Sequence, residues 1–264
     1  VGDHNLVGPL PRVLLVEDWL PEEAEARLLH NLRARAGDFV QLRGKRTARF
    51  GGDPGPPFVA EPLPSWLSQL CSAVATALCG AASESEKVPL PNHVLVNHYR
   101  AGEGIMPHTD GPAYSPQAAI LSLGSAVVFD FWRDHTHTAA GEPPALSLLL
   151  PPRSLLVFDG EAYSCHLHGI ADRRYDELHP GVANWAAGAR ARWAPAGGEA
   201  AAWARRQLEP PPSTISLAGD EKAGPEAACG CLATCSLRRE ERYSLTIRHV
   251  PQTSPTPDVS IGAT

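Results

Sequence analysis

A chain of 264 residues with 43% hydrophobic side chains holds enough apolar material for one large domain or two small ones, which excludes wholesale disorder. Six cysteines are too few for a disulfide scaffold and suit a reducing compartment, so the expected location is cytoplasm and/or nucleus. No run of about 18 apolar residues is present to span a bilayer as a helix, and a formal charge of −6 argues against indiscriminate binding of polyanions.

The first element is a short β-branched and leucine run at Val13–Val16. Pro21 followed by Glu22, Glu23 and Glu25 reads as a helix start, with acids placed favourably against the dipole. Ala24, Leu28 and Leu32 recur at a spacing of four, which predicts an amphipathic helix over about 21–35. Residues 37–62 lose periodicity around Gly44, Gly51-Gly52 and Pro54-Gly55-Pro56-Pro57, and are expected to form a surface loop or irregular hairpin. A second helix is predicted over about 64–78, with Trp66, Leu67, Leu70 and Val74 on one face.

From residue 92 the pattern changes to short strands separated by turns, closing with Arg242–Val250. Helices followed by many short strands predict an α+β protein, a β-sandwich or barrel with the N-terminal helices packed on one side. The expected single domain covers 1–170 and 241–250. The Ala/Gly/Pro/Arg-rich stretch 171–240 is read as a largely disordered insertion, and 251–264 as a loose tail.

Four segments could carry chemistry. His108 and Asp110 lie two apart, so on an extended chain both point to one side and can share a metal, as in the first half of a 2-His-1-carboxylate facial triad. The third ligand must come from downstream. His166 and His168 fall on the same strand face, so alternation does not choose between them, while His135 and His137 sit in a polar connection. Arg242, Ser244, Thr246 and Arg248 share one face of the last strand, opposite Tyr243, Leu245 and Ile247. If that polar face lines a barrel, its arginines need anionic partners, and a dicarboxylate is the natural guest. Asn97 and Tyr99 share a strand face upstream and offer an amide and a phenol.

Taken in order, Asn-x-Tyr, Pro-His-x-Asp, His-Gly and Arg-x-Ser-x-Thr-x-Arg resemble the AlkB-like Fe(II)/2-oxoglutarate-dependent dioxygenases. The stretches at 92–99, 102–111, 153–157, 167–170 and 244–248 look most like the sixth AlkB-homologue subfamily. The resemblance implies a double-stranded β-helix (jelly-roll) core. It also implies that His108, Asp110 and His168 bind Fe(II), His168 being chosen because it precedes the matching Gly169-Ile170. Arg242 would pair with the distal carboxylate of 2-oxoglutarate, and Asn97, Tyr99 and Arg248 would hold its other end. Ser244 stands where many members carry Asn at a cosubstrate contact. The implied activity is oxidative demethylation of alkylated nucleic acid, consuming O2 and 2-oxoglutarate and giving succinate, CO2 and formaldehyde. A nucleic-acid-binding β-helix with little turnover and a protein side-chain hydroxylase are the alternatives.

Charge adds a clue to the substrate. Between residues 33 and 49 six basic residues face one acid, Asp38, and Arg43, Lys45, Arg46 and Arg49 lie in the stretch that forms a nucleotide-recognition lid in AlkB-like proteins. These four are expected to meet the phosphates of RNA or DNA, with Phe39, Phe50 and Phe58 supplying stacking faces.

Overall fold

The computed structural model describes residues 9–81, 89–185, 208–209 and 235–251. The elements run β1 (Val13–Val16), α1 (Glu22–Ala34), β2 (Val40–Leu42), β3 (Lys45–Phe50), β4 (Gly52–Asp53), β5 (Val59–Ala60), α2 (Ser65–Ala81), β6 (His93–Tyr99) and β7 (Ile105–His108). They continue through β8 (Gln117–Gly124), β9 (Val127–Trp132), α3 (His135–Ala139), β10 (Leu146–Leu150), β11 (Leu155–Asp159), α4 (Gly160–Ser164) and β12 (Leu167–Ile170). The last are β13 (Tyr175–Leu178), β14 (Leu208–Glu209), β15 (Cys235–Arg238) and β16 (Arg242–Arg248).

Seven strands form the larger sheet in the order β1-β11-β8-β16-β6-β3-β2, and four form the smaller, β10-β9-β12-β7. Strand alternation distributes side chains between two cores. Leu121, Leu155, Leu245 and Val96 point outward and meet Leu28 and Leu32 of α1 and Leu67, Leu70 and Val74 of α2. Their neighbours Ile120, Leu156 and Phe158 point inward and pack on Phe129, Phe131 and Leu148 of the smaller sheet. Each such fully buried side chain contributes on the order of 2 kcal/mol. Helix α2 keeps its water-facing side polar: Ser72 and Thr76 each donate to the carbonyl four residues back, at 3.0 Å. No helix among the described residues is long and apolar enough to cross a membrane.

The stretch 37–62, expected as a surface loop or irregular hairpin, contains a hairpin of β2 and β3 that extends the larger sheet, β3 pairing with β6. Ala48 and Phe50 alternate into the helix-side core, and that alternation is what fixes the register. The expectation of a largely disordered insertion over 171–240 needs correction: β13 and β15 pair within it, and Leu178, Val182 and Leu237 pack against Val128 and Leu149 on the outer face of the smaller sheet. Asp176 fastens this layer, accepting from Arg239 at 2.6 Å on both oxygens and from the Val128 amide at 3.0 Å. Residues 186–207 and 210–234, and the tail beyond 251, lie outside the described residues.

Candidate metal and dicarboxylate site

Strands β7 and β12 bring the first two candidate ligands together, since His108 and His168 are directly opposed in the antiparallel register. Close approach of these strands depends on glycine. A Cβ at Gly169 would lie 2.8 Å from the Ile105 carbonyl, and one at Gly104 would lie 2.3 Å from that of Ile170. Asp110 follows just beyond β7. One ligand atom from each of His108, Asp110 and His168 falls within 4.8 Å of the others.

The orientation of each group has a cause. His108 Nδ1 lies 2.9 Å from the Met106 carbonyl, which can only accept, so Nδ1 carries the proton and Nε2 presents a lone pair. His168 is walled by Phe129, whose ring stacks at 5.6 Å, and by Phe131 and Phe158. Burial pushes His168 down to about 4 and lowers His108 as well, so both imidazoles are neutral at pH 7, the form that ligates a metal. Asp110 Oδ1 accepts from Arg248 Nη1 at 2.7 Å and stands 3.9 Å from His168 Nε2.

The opposite wall is a ladder built by β6 and β16. Register pairs Tyr99 with Arg242, Asn97 with Ser244, Leu95 with Thr246, and His93 with Arg248. The outward residues between them are Val94, Val96, Leu245 and Ile247, which explains why the polar set turns inward. Arg242 is buried and donates through Nη2 to Ser122 Oγ at 3.0 Å, and burial lowers its guanidinium to about 10. Arg248 stacks on Tyr114, with its central carbon 3.6 Å from the ring centroid. Lys45, one residue beyond the Arg46–His98 pair on β3, places Nζ 6.0 Å from the Tyr99 ring centroid. Buried polar atoms are almost always paired, yet Asp110 Oδ2, Asn97 Oδ1, Arg242 Nε and Nη1, and Arg248 Nε have no partner here. Guanidinium N–H groups at one end and neutral imidazoles with a carboxylate at the other form a donor set that fits a chelated metal and a dicarboxylate.

The expected metal and dicarboxylate residues therefore converge on one cavity, and the basic set does not converge on one surface. Arg43 is exposed at the β2–β3 turn. Lys45 is 8% exposed and lines the cavity interior. Arg46 lies on the helix side, donating to the Ala36 carbonyl at 2.9 Å above the Phe39 ring. Arg49 is exposed and lies 3.5 Å from Asp53. Phe39 and Phe50 are buried in the helix-side core and offer no stacking faces, while Phe58 is half-buried. Of the rival histidines, His166 bonds the Glu161 carbonyl at 3.1 Å, and His137 bonds Asp134, the residue that caps α3. Tyr114 and Ser122 were not singled out in the sequence. Ser122 was detectable as the one hydroxyl in the apolar run of β8, whereas Tyr114 sits in a loop without periodicity.

The chain matches the 2OG-Fe(II) oxygenase superfamily over residues 47–248. It is 33% identical over 250 residues to the "Probable RNA/DNA demethylase ALKBH6" of Danio rerio, covering 92% of this chain and 87% of that protein. It is 31% identical over 182 residues to the tRNA (carboxymethyluridine(34)-5-O)-methyltransferase ALKBH8 of Mus musculus, covering 64% of this chain and 25% of that protein. The solved structure of OsALKBH1 superposes with a TM-score of 0.53 at 16% identity, covering 91% of this chain and 99% of that one, which supports the double-stranded β-helix fold. With a matching fold, an opposed His-Asp-His cluster and two unsaturated arginines facing it, the chain belongs to the AlkB-like branch of the 2OG-Fe(II) oxygenase superfamily, whose members use Fe(II) and 2-oxoglutarate.

Proposed function

We propose that this dioxygenase removes N-methyl groups from nucleic acid, with His108, Asp110 and His168 as the iron ligands and Arg242 as the anchor of the cosubstrate. The observation that carries the reading is the convergence of three metal-ligand atoms within 4.8 Å opposite a buried arginine with two unpartnered N–H groups. When bound, Fe(II) couples O2 activation to decarboxylation of 2-oxoglutarate to succinate and CO2, so that an oxidised N-methyl group leaves as formaldehyde.

The remaining tasks fall to the chain. His108 and His168 present Nε2, and Asp110 is held to its position by Arg248. A metal held by these three side chains would keep positions free for the cosubstrate and O2. Arg242, steadied by Ser122, offers Nε and Nη1 to the distal carboxylate, and Tyr99 lies beside it with its ring 5.5 Å from the guanidinium carbon. Asn97 and Ser244 fill the next rung, and Arg248 keeps a free Nε for the cosubstrate's chelating end. Ile120, Phe129 and Ile170 line the cavity and exclude water from the reacting centre.

Support for a nucleic-acid substrate comes from the name of the Danio rerio relative and from Arg43 and Arg49, exposed on the hairpin beside the cavity. Phosphate contacts from such residues position a strand without reading its sequence. The activity is assigned to the cytoplasm and/or nucleus, in keeping with the low cysteine content.

The test is an anaerobic titration of the apo protein with Fe(II) and 2-oxoglutarate, followed through the visible metal-to-ligand charge-transfer band. Formaldehyde release from methylated RNA and DNA oligonucleotides is measured after O2 is admitted. The band is expected in the parent protein and absent in His108→Ala and Arg242→Ala. Folded protein without a band would overturn the residue assignments, and a band without formaldehyde from either polymer would overturn the nucleic-acid substrate.

A further inference from the structure

Lys45 does not behave as a phosphate contact. It is 8% exposed, on the cavity side of β3, and shares the cavity lining with His108, Asp110, His168 and Arg242. Its ammonium acts electrostatically on both histidines, and the charged groups that act on it are Asp110 and Arg248. Among the described residues lining this cavity, Asp110 is the single carboxylate, and it is already committed to Arg248 at 2.7 Å.

This inventory has a consequence for any base that enters. A divalent metal and a dianionic cosubstrate offset one another, as do Asp110 and Arg248, and Lys45 and Arg242 remain as excess cations. Methylation of a ring nitrogen that has no proton to shed, as at N1 of adenine or N3 of cytosine, fixes a positive charge on the base. Methylation of an exocyclic amine, or of a ring N–H, leaves the base neutral. A cationic base would enter a positive cavity that offers it no acidic partner, the arrangement by which proteins reject a competitor through like-charge juxtaposition.

We infer that the site selects N-methylated nucleobases that remain uncharged and discriminates against cationic ring-methylated ones, with Lys45 as the specificity-determining residue. The inference rests on the nucleic-acid reading given above and goes beyond it by naming the class of base. On this reading Lys45, which lines the cavity, would meet the base, and the strand's phosphates would be left to the exposed Arg43 and Arg49.

The experiment uses full-length protein loaded anaerobically with Fe(II) and 2-oxoglutarate, so that binding is read without turnover. Three labelled single-stranded RNAs differ in one central base: N6-methyladenine, 1-methylguanine or 1-methyladenine. The second and third carry the methyl group at the same ring position, and only the third is a cation at neutral pH. Fluorescence anisotropy is expected to show both neutral RNAs binding roughly tenfold or more tightly than the cationic one, the scale of one uncompensated repulsion at a protein site. Lys45→Met should narrow that gap severalfold and Lys45→Arg should preserve it, with Lys45→Gln as a second neutral variant. Equal or tighter binding of the 1-methyladenine RNA by the parent protein overturns the inference, as does a gap that both neutral variants leave intact. If none of the three binds better than unmodified RNA while the charge-transfer band forms normally, the nucleic-acid reading itself falls and takes the inference with it.

Discussion

Among the described residues, two Asp–Arg pairs are withdrawn from solvent, and they are finished differently. Asp176 spends both oxygens: Oδ1 accepts from Arg239 Nη2 at 2.6 Å and Arg173 Nε at 2.8 Å, and Oδ2 from Arg239 Nε at 2.6 Å and the Val128 amide at 3.0 Å. The remaining Arg239 nitrogen donates to the Ala171 carbonyl at 2.6 Å. Asp110 has one direct hydrogen-bonded cation, Arg248, and leaves Oδ2 open, while Arg248 leaves Nε open. Desolvating such groups without full pairing costs stability. A saturated pair is accounted for by the fold alone, whereas an unsaturated one calls for a ligand.

That contrast is sharpest under mutation. Asp110→Ala should abolish the Fe(II)/2-oxoglutarate charge-transfer band while lowering the melting temperature far less than the matching change at Asp176. Loss of the band together with an equally large fall in melting temperature would erase the distinction. Asp176→Ala strands the Arg239 charge in the interior and should cost about 3–5 kcal/mol, measurable by urea unfolding. Below its lowered transition the variant should still form the band, because Asp176 lies on the outer face of the smaller sheet.

Smaller effects probe how Arg248 is held. Tyr114→Leu removes the ring under the guanidinium and should weaken Fe(II) affinity about tenfold, the scale typical of an orienting partner, while Tyr114→Phe keeps the ring and the affinity. Smallest is a pH effect from His93, the fully buried neighbour of Arg248 in the register. Burial, reinforced by Arg248, lowers its pKa to about 4, so between that value and the unfolded ~6.5 the unfolded chain binds the extra proton. Stability should therefore fall as pH drops through this window, by on the order of 2 kcal/mol between pH 7 and 5. His93→Phe should flatten that part of the denaturation profile.

Sequence and structure agree where alternation is long and unbroken. Seven residues of β16, with polar and apolar side chains in strict turn, specified both the strand and its inward arginines. Periodicity likewise located α1 and α2. An irregular hairpin was legible at 37–62, but not its place in the larger sheet, because the apolar face of β3 is only Ala48 and Phe50, and Gly44, Gly51 and Gly52 interrupt its surroundings. Strands β13 and β15 escaped because each has four residues, and the centre of their layer is an aspartate, which reads as surface until Arg239 is found beside it. Alternation could not separate His166 from His168, and the resemblance chose His168, the one that joins the cluster. A buried lysine has no signature in charge counts. Lys45 looked like its neighbours Arg43 and Arg46, and only its place on the inner face of β3 sets it apart.

Strand β16 is the last described strand in the chain, yet it lies in the middle of the larger sheet, between β8 and β6. Its pairings join residues more than a hundred positions apart, the kind of contact that forms late during folding. Until β16 docks, the chain lacks Arg242 and Arg248, and Asp110 lacks the cation that holds it in place. The dicarboxylate wall is thus supplied by the strand that fills the middle of the larger sheet, so completing the sheet and completing the cosubstrate anchor are one event.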